Sequence, residues 1–220
     1  MMIEQAIAIG LNRVHFPVTA LGPGRRIGIW FQGCSIGCRG CMSLDTWAPA
    51  VAPEPLSAVF ARLDGWLAEA DGVTISGGEP FEQPEALYGL LLGLKTRSSG
   101  SVLVYSGNAF ARLQELHADI LAEIDVVITE PFDDTRQEPT LLRGSSNQVV
   151  NCLTDRGIAL WQEAVRAEGS TRSMDVVFGP DGGIWLAGIP RPGDLERLSE
   201  HLATAGLSAK TSAGRIGRRS

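Results

Sequence analysis

Short apolar runs alternate with amphipathic helical patterns along the first 150 residues or so of the chain. The apolar runs cover residues 27–31, 72–76, 102–105 and 125–129. Continuous runs of this length are typical of strands buried on both faces of a sheet. Between them, apolar positions recur with the helical period over 56–67, 84–94 and 110–121. Strands separated by helices predict βαβ units, and therefore an α/β fold with a largely parallel sheet.

The last third of the chain has a different pattern. Apolar runs at 176–178 and 184–186 flank Pro180-Asp181-Gly182-Gly183, which predicts a β-hairpin. A helix is predicted to follow, starting near Asp194 and ending at Gly206. We therefore divide the chain into a core over 1–152, an extension over 153–207 that packs on the core, and a basic tail over 208–220 that we expect to be disordered.

Composition and charge narrow the class of protein. The chain has 220 residues, of which 44% are hydrophobic, so it can bury one substantial core. Its net charge of −6 argues against nonspecific binding of nucleic acid. Its apolar runs are shorter than the roughly 20 residues that cross a bilayer. With cysteines expected to be reduced, these features predict a cytosolic protein that binds neither nucleic acid nor membrane.

Three of the four cysteines lie within eight residues of one another. Cys34, Cys38 and Cys41 have the spacing C-x3-C-x2-C, directly after the first buried run. Gly33, Gly37 and Gly40 stand between and beside them and allow tight turns around an inorganic core. An iron–sulfur cube normally takes four thiolates. A loop that supplies three would leave one iron open to another ligand.

The simpler interpretations of these cysteines are a structural zinc site and a disulfide framework. Structural zinc requires further ligands at finger or ribbon spacing, and the remaining candidates, Cys152 and the three histidines, are scattered along the chain. A disulfide framework is typical of small secreted domains, which this chain does not resemble in length or composition. Neither interpretation explains the spacing as well as a cluster does.

The ordered motifs of the chain resemble a known family. They are Gly22-Pro23-Gly24-Arg25-Arg26, the cysteine loop, Thr46-Trp47, Gly77-Gly78-Glu79-Pro80 and Arg143-Gly144-Ser145-Ser146-Asn147-Gln148-Val149-Val150. Together they resemble the radical S-adenosylmethionine superfamily, and within it the activating proteins of anaerobic ribonucleoside-triphosphate reductases. The resemblance covers about residues 12 to 152. It implies a partial, open parallel β/α barrel of about five or six strands, followed here by the hairpin and helix.

The resemblance also implies cofactors and site residues. A 4Fe-4S cluster would be bound by Cys34, Cys38 and Cys41, with S-adenosylmethionine at the open iron. The residues implied to contact S-adenosylmethionine are Gly40, Met42, Gly77, Gly78, Glu79, Ser106, Ser146 and Asn147. Some of these have ordinary explanations as well: Met42 as core filler, Ser106 as a helix cap, and 145–148 as a capped loop. Arg26 aligns with a family arginine and would contact the partner or the cofactor carboxylate.

Three functions remain open from the sequence. The resemblance favours reductive cleavage of S-adenosylmethionine to a 5′-deoxyadenosyl radical that installs a glycyl radical on a large partner resembling anaerobic ribonucleotide reductase. Reduced flavodoxin or ferredoxin would then be the electron donor. The alternatives are an enzyme of the same superfamily that acts on a small molecule, of the 7-carboxy-7-deazaguanine synthase type, or on another peptide, and a non-catalytic iron–sulfur carrier.

The cysteine spacing generates the first prediction. Anaerobic reconstitution with iron and sulfide should give one 4Fe-4S cluster per chain, because the loop provides one set of three thiolates. Alanine at Cys34, Cys38 or Cys41 should abolish the cluster, whereas Cys152→Ala should leave it intact. Iron and sulfide analysis measures the outcome. Stoichiometric zinc without iron after anaerobic purification would contradict it.

Overall fold

The computed structural model of the protein describes residues 6–137, 141–167, 174–178, 184–191 and 193–206. The basic tail predicted over 208–220 lies outside these residues. The strands are β1 (Ala8–Ile9), β2 (Leu11–Val18), β3 (Arg26–Phe31), β4 (Glu54–Pro55), β5 (Gly72–Gly77), β6 (Ser101–Tyr105), β7 (Val126–Thr129), β8 (Val149–Cys152), β9 (Asp175–Phe178) and β10 (Ile184–Ala187). The helices are α1 (Leu56–Leu67), α2 (Pro84–Arg97), α3 (Phe110–Leu116), α4 (Ala118–Leu121), α5 (Asp155–Ala167) and α6 (Asp194–Thr204).

A six-stranded sheet forms the centre of the protein, in the order β2-β3-β5-β6-β7-β8. The four inner strands are parallel, and the two outer strands, β2 and β8, are antiparallel to their neighbours. The predicted α/β class and number of strands are therefore confirmed. The strand order among the described residues is open, and the curvature of a partial barrel stays a prediction.

Alternate residues of the inner strands face two different layers. Ile27, Ile29 and Phe31 of β3 belong to the main core, which α1 and α2 cover with residues such as Leu63 and Leu90. The other face of the sheet carries two smaller apolar clusters. This alternation is the period of two that a pleated strand imposes.

One predicted element differs from the observed one. The helix predicted over 110–121 is divided at His117, which has φ −141° and ψ 38° and whose ring packs against Phe81 at 5.4 Å. This departure involves a contact between distant parts of the chain, which periodicity does not report. Strand β8 begins at Val149, directly after a loop that is held by local side-chain hydrogen bonds.

The hairpin and final helix of the extension are confirmed as elements. Strands β9 and β10 pair antiparallel, with Ile184 opposite Phe178, and α6 follows. Helix α5 packs on the sheet through Leu160, which contacts the cluster of Leu103 and Ile128. Helix α5 follows Thr154, whose hydroxyl accepts a hydrogen bond from the Gly157 amide at 3.0 Å.

Arg26, the first residue of β3, is fully buried. Its five N–H hydrogens have five acceptors: Nε donates to the Thr74 hydroxyl at 2.7 Å, Nη1 to the Ser101 hydroxyl at 3.0 Å and Pro23 O at 3.5 Å, and Nη2 to Val73 O at 2.7 Å and Ser101 O at 3.0 Å. Burial lowers the pKa of the guanidinium to about 10. The expectation that Arg26 contacts a partner or cofactor is therefore wrong, because it binds three strands together at the edge opposite the cysteine loop.

In the part of the chain that the structure describes, no helix is long and apolar enough to cross a membrane. A cytosolic location stays a prediction.

The environment of Arg26 generates the second prediction. Arg26→Met should lower the free energy of unfolding by about 3 kcal/mol, because buried acceptors such as Val73 O and Ser101 O lose their donors. The matched control is Arg25→Met. The Arg25 guanidinium is about half exposed and forms a surface ion pair with Glu69 at 3.4 Å. Its loss should lower the free energy of unfolding by less than about 1 kcal/mol. Urea unfolding measures both. Equal midpoints for the two variants would contradict the role given to Arg26.

Candidate metal centre and cofactor cavity

The cysteine loop begins where β3 ends, at the carboxyl edge of the parallel strands. Phe31 is the last residue of β3, and Cys34 follows after two residues. Strands β5 and β6 end at Gly77 and Tyr105, so the segments after them lie along the same edge. Open α/β sheets place their ligand sites at this edge.

Main-chain hydrogen bonds fix the start of the loop. The Gly33 amide donates to Thr46 O at 2.7 Å, and Gly33 O accepts from the Glu79 amide at 2.9 Å. The Cys34 amide donates to Trp47 O at 3.2 Å. Gly33 is therefore held on both sides, between the segment after the loop and the segment after β5.

Gly77 and Gly78 allow this close approach. A Cβ on Gly78 would lie 2.1 Å from Gly33 O, and one on Gly77 would lie 2.5 Å from the Phe31 nitrogen. Gly77 also has φ +105°, which side chains rarely adopt. The space beside both glycines is occupied by β3 and the cysteine loop. The contact with the cofactor that the family resemblance implies stays a prediction.

Glu79 is 1% exposed and joins two turns of the carboxyl edge. Its Oε1 accepts hydrogen bonds from the Phe81 amide at 3.0 Å and the Ser106 hydroxyl at 2.9 Å, and Oε2 accepts from the Gly107 amide at 2.7 Å. Burial raises the pKa of the carboxyl group, and these three donors act in the opposite direction. A carboxylate offers about four acceptor sites, so one is left for the predicted contact with S-adenosylmethionine.

The Ser106 hydroxyl is also committed to internal contacts. Besides donating to Glu79, it accepts a hydrogen bond from the Asn108 amide at 3.1 Å. The interpretation of Ser106 as a helix cap is wrong, because the N-cap of α3 is Ala109. A role toward the cofactor stays a prediction for Ser106.

Backbone amides point at each of the three clustered thiols. Cys34 receives hydrogen bonds from the Ile36 and Gly37 amides, which lower its pKa against the larger raising effect of burial. Burial likewise raises the pKa of Cys38, and the Phe132 amide lowers it. The Ser43 amide donates to the Cys41 sulfur at 3.4 Å. Amide donors favour the thiolate form, which is the form that binds iron.

The arrangement of these thiols fits a 4Fe-4S cube. All four cysteines are free, which excludes a disulfide among them. Within the described ranges, no three His, Cys, Asp or Glu side chains converge on a single ion. Zinc would need convergence to about 2.3 Å from each sulfur, whereas each thiolate of a cube has its own iron. With partly exposed sulfurs and amide donors to each, the loop has the donor set that a cluster requires.

The far end of the loop rests on the segment after β7. The Arg39 Nε lies 2.9 Å from the Asp134 carboxylate. Gly40 has φ +74°, and a Cβ there would lie 3.1 Å from Asp134 Cβ and 3.4 Å from the Phe132 ring. The loop is thus supported at both ends, by β5 at its start and by residues 132–134 at its end.

Residues 143–148 hold that supporting segment in place. The Ser145 hydroxyl accepts from the Asp133 amide at 3.1 Å, and Asn147 Nδ2 donates to Pro131 O at 2.8 Å. Ser146 is exposed. The interpretation of these residues as a hydrogen-bonded loop therefore has direct support. Among the described atoms, the buried Oδ1 of Asn147 and the buried Nε of Arg143 have no hydrogen-bond partner.

A cavity of about 470 Å³ lies beside the third cysteine. Gly40, Cys41 and Met42 line one side of it. Its size is within the range of about 300–1,000 Å³ that is usual for small-molecule sites. Met42 is 36% exposed, so it is cavity lining rather than core filler.

Several lining residues were not predicted. From the core they are Leu21, Trp30, Ser76, Tyr105 and Phe132, and from the extension they are Met174, 186–191, Gly193, Leu195 and Glu196. Ser76 and Tyr105 could have been found from the sequence, because both are polar residues near the ends of predicted strands. The extension residues carry no such signal, because only the packing of the hairpin brings them to the cavity.

Comparison with known families agrees with this geometry. Residues 20–151 match the family described as "4Fe-4S single cluster domain". That match takes in more than half of the chain. It begins shortly before β3 and ends within β8, so α5, the hairpin and α6 lie outside it.

Individual relatives carry names of activating proteins. The chain is 30% identical over 157 residues to the anaerobic ribonucleoside-triphosphate reductase-activating protein of Pasteurella multocida, an alignment that covers 66% of this chain and 99% of the relative. It is 28% identical over 149 residues to the protein of that name from Vibrio cholerae, covering 64% and 96%. It is 26% identical over 171 residues to the pyruvate formate-lyase-activating enzyme of Streptococcus mutans, covering 71% and 65%.

The contact between Gly78 and Gly33 generates the third prediction. Gly78→Ala should strongly reduce iron uptake, because the added Cβ displaces the start of the cysteine loop at a cost of about 1–3 kcal/mol. The control is Gly65→Ala in α1, where a Cβ has no neighbour within 4 Å. Iron and sulfide content after anaerobic reconstitution measures both variants. If Gly78→Ala takes up as much iron as Gly65→Ala, the loop does not depend on this contact.

Proposed function

Because the chain belongs to the 4Fe-4S single cluster domain family, together with the radical S-adenosylmethionine activating enzymes, we propose that it installs a glycyl radical on a large partner enzyme. The partner would resemble anaerobic ribonucleotide reductase. The observation that carries this proposal is the placement of three free thiols in one loop, each facing a backbone amide, with a cavity of about 470 Å³ beside the third, Cys41. Cys34, Cys38 and Cys41 would bind the cluster.

When bound together, the 4Fe-4S cluster and S-adenosylmethionine supply one-electron cleavage of a carbon–sulfur bond, which yields methionine and a 5′-deoxyadenosyl radical able to remove a hydrogen atom from glycine. The residues of this chain would bind and orient the cluster and the cofactor. The cysteine loop holds three thiolates at fixed positions, and Glu79 fixes the two turns beside it. Trp30 and Phe132 contribute apolar rings to the lining of the cavity. Reduced flavodoxin or ferredoxin is the proposed electron donor.

The contacts with S-adenosylmethionine are also proposals, with unequal support. Gly40 and Met42 line the cavity beside Cys41, which supports backbone contacts to the adenine. Gly77, Gly78, Glu79, Ser106, Ser146 and Asn147 are proposed from the family resemblance alone. Asn147 is not among the residues that line the cavity, and the internal contacts of Glu79 and Ser106 leave each of them less capacity for a ligand.

A second candidate function has one observation in its favour. Helix α5 and the hairpin cover the second face of the sheet, where an activating enzyme would admit a loop of its protein substrate. A small-molecule substrate would need less room. Both candidate functions would use the same cluster and cofactor on different substrates. Cleavage of S-adenosylmethionine is therefore tested first, and the substrate class second.

The fourth prediction separates an enzyme from an electron carrier. With dithionite and S-adenosylmethionine, the reconstituted wild type should release 5′-deoxyadenosine and methionine, measured by chromatography. Cys41→Ser should release neither, because the cluster loses a ligand. A cluster that is reduced by dithionite but never yields 5′-deoxyadenosine would favour the carrier.

Adding the partner then tests the substrate class. A candidate reductase with a C-terminal glycine-radical motif should acquire a glycyl radical, detected by electron paramagnetic resonance. The 5′-deoxyadenosine produced should increase in proportion to the reductase added. Cofactor cleavage without any radical on the reductase would favour the small-molecule substrate.

A further inference from the structure

The cavity beside Cys41 has two walls of different origin. One wall belongs to the residues that match the family, and includes Trp30, Met42 and Gln148. The opposite wall is built by Met174, residues 186–191, Gly193, Leu195 and Glu196. Those residues lie outside the family match over 20–151. A chain that ended near residue 151 would leave this side of the cavity open.

The second wall is anchored to the core by an aromatic contact. The Trp185 ring lies 5.3 Å from Trp30 and 5.0 Å from His15, edge to face in both cases, and the Arg13 guanidinium lies 5.2 Å above it. Ala187 is buried in the same cluster. Edge-to-face aromatic pairs stabilise a contact beyond the area that they bury.

A second anchor is polar. The Asp175 carboxylate accepts hydrogen bonds from the Thr19 amide at 2.7 Å, the Thr19 hydroxyl at 2.7 Å and the Ala20 amide at 2.9 Å. These bonds attach the first strand of the hairpin to the end of β2. With anchors on both strands, β9 and β10 form a fixed wall.

We propose that this extension is a specificity-determining wall of the S-adenosylmethionine site, so that Leu186 and its neighbours limit what fits beside the third cysteine. The proposal rests on the proposed function, since it places S-adenosylmethionine in this cavity. The volume of about 470 Å³ suits one cofactor-sized molecule. A substrate group therefore enters only as a slender segment, such as an extended peptide, and not as a folded surface.

The fifth prediction tests the wall in the full-length, cluster-loaded protein. Leu186→Trp adds bulk to the cavity from the extension side, and should raise the KM for S-adenosylmethionine at least about fivefold, as expected for overpacking. The cluster spectrum should not change. The matched control is Ile184→Trp, two residues earlier on the same face of β10, at a position that is 52% exposed. It should stay within about twofold of the wild type, as a surface substitution does.

A binding measurement accompanies the kinetics. Hydrogen exchange of the backbone amides at 186–191 should slow when S-adenosylmethionine is added to the loaded wild type, and exchange in α1 should not change. If the wild type cleaves S-adenosylmethionine while Leu186→Trp keeps the wild-type KM and residues 186–191 show no protection, the wall is not part of the site. A wild type that never cleaves S-adenosylmethionine would instead remove the proposed function.

The anchoring itself is tested without cluster or cofactor. Asp175→Ala should speed hydrogen exchange in β9 and β10 by about tenfold or more, because three hydrogen bonds to a carboxylate are lost. Asp194→Ala, in the first turn of α6, is the control and should leave exchange in the hairpin unchanged. Unchanged exchange in Asp175→Ala would overturn the fixed wall, whatever the outcome with S-adenosylmethionine.

Discussion

The candidate site depends on the two backbone hydrogen bonds of Gly33. Its amide and carbonyl are bonded to Thr46 and to Glu79, so the residue before Cys34 cannot move without breaking both bonds. A loop with three glycines costs much conformational entropy to order, about 1–2 kcal/mol per residue. The cost is offset at both ends of the loop, by these bonds at the start and by Asp134 and Phe132 at the end. The loop that carries the three cysteines is therefore held at both of its ends.

Two buried ionisable residues organise opposite edges of the sheet. Arg26 binds β3, β5 and β6 together at their amino ends, and Glu79 joins the turns after β5 and β6 at their carboxyl ends. Neither has an oppositely charged side chain among the hydrogen-bond partners that the structure describes. Neutral donors and acceptors satisfy both, which avoids the large penalty of an unpaired buried charge. The edge with the carboxylate is the one that holds the cysteines.

The elements that a local sequence pattern encodes could be predicted from the sequence. The buried strands, α1, α2, the hairpin and the cysteine loop follow from periodicity and spacing, and the structure contains them. The role of Arg26 could not be predicted, because its five acceptors come from segments up to 75 residues away. The division of the helix at His117 likewise involves a distant contact, with Phe81. Glu79 was identified as a site residue, but its bonds to Ser106 and Gly107 needed the neighbouring strand to be placed.

The extension stabilises the core and shapes the cavity with partly overlapping residues. Trp185 and Ala187 cover Trp30, and Leu160 of α5 covers Leu103, so apolar positions on the second face of the sheet are removed from water. That burial stabilises the packed extension whatever substrate the protein uses. Ala187 and Ile189 also line the cavity, so they serve both roles, whereas the other lining residues between Leu186 and Arg191 lie outside these apolar clusters. Substitutions among them can therefore change the shape of the cavity while the anchor keeps the hairpin in place, which is the separation that allows specificity to vary on a constant core.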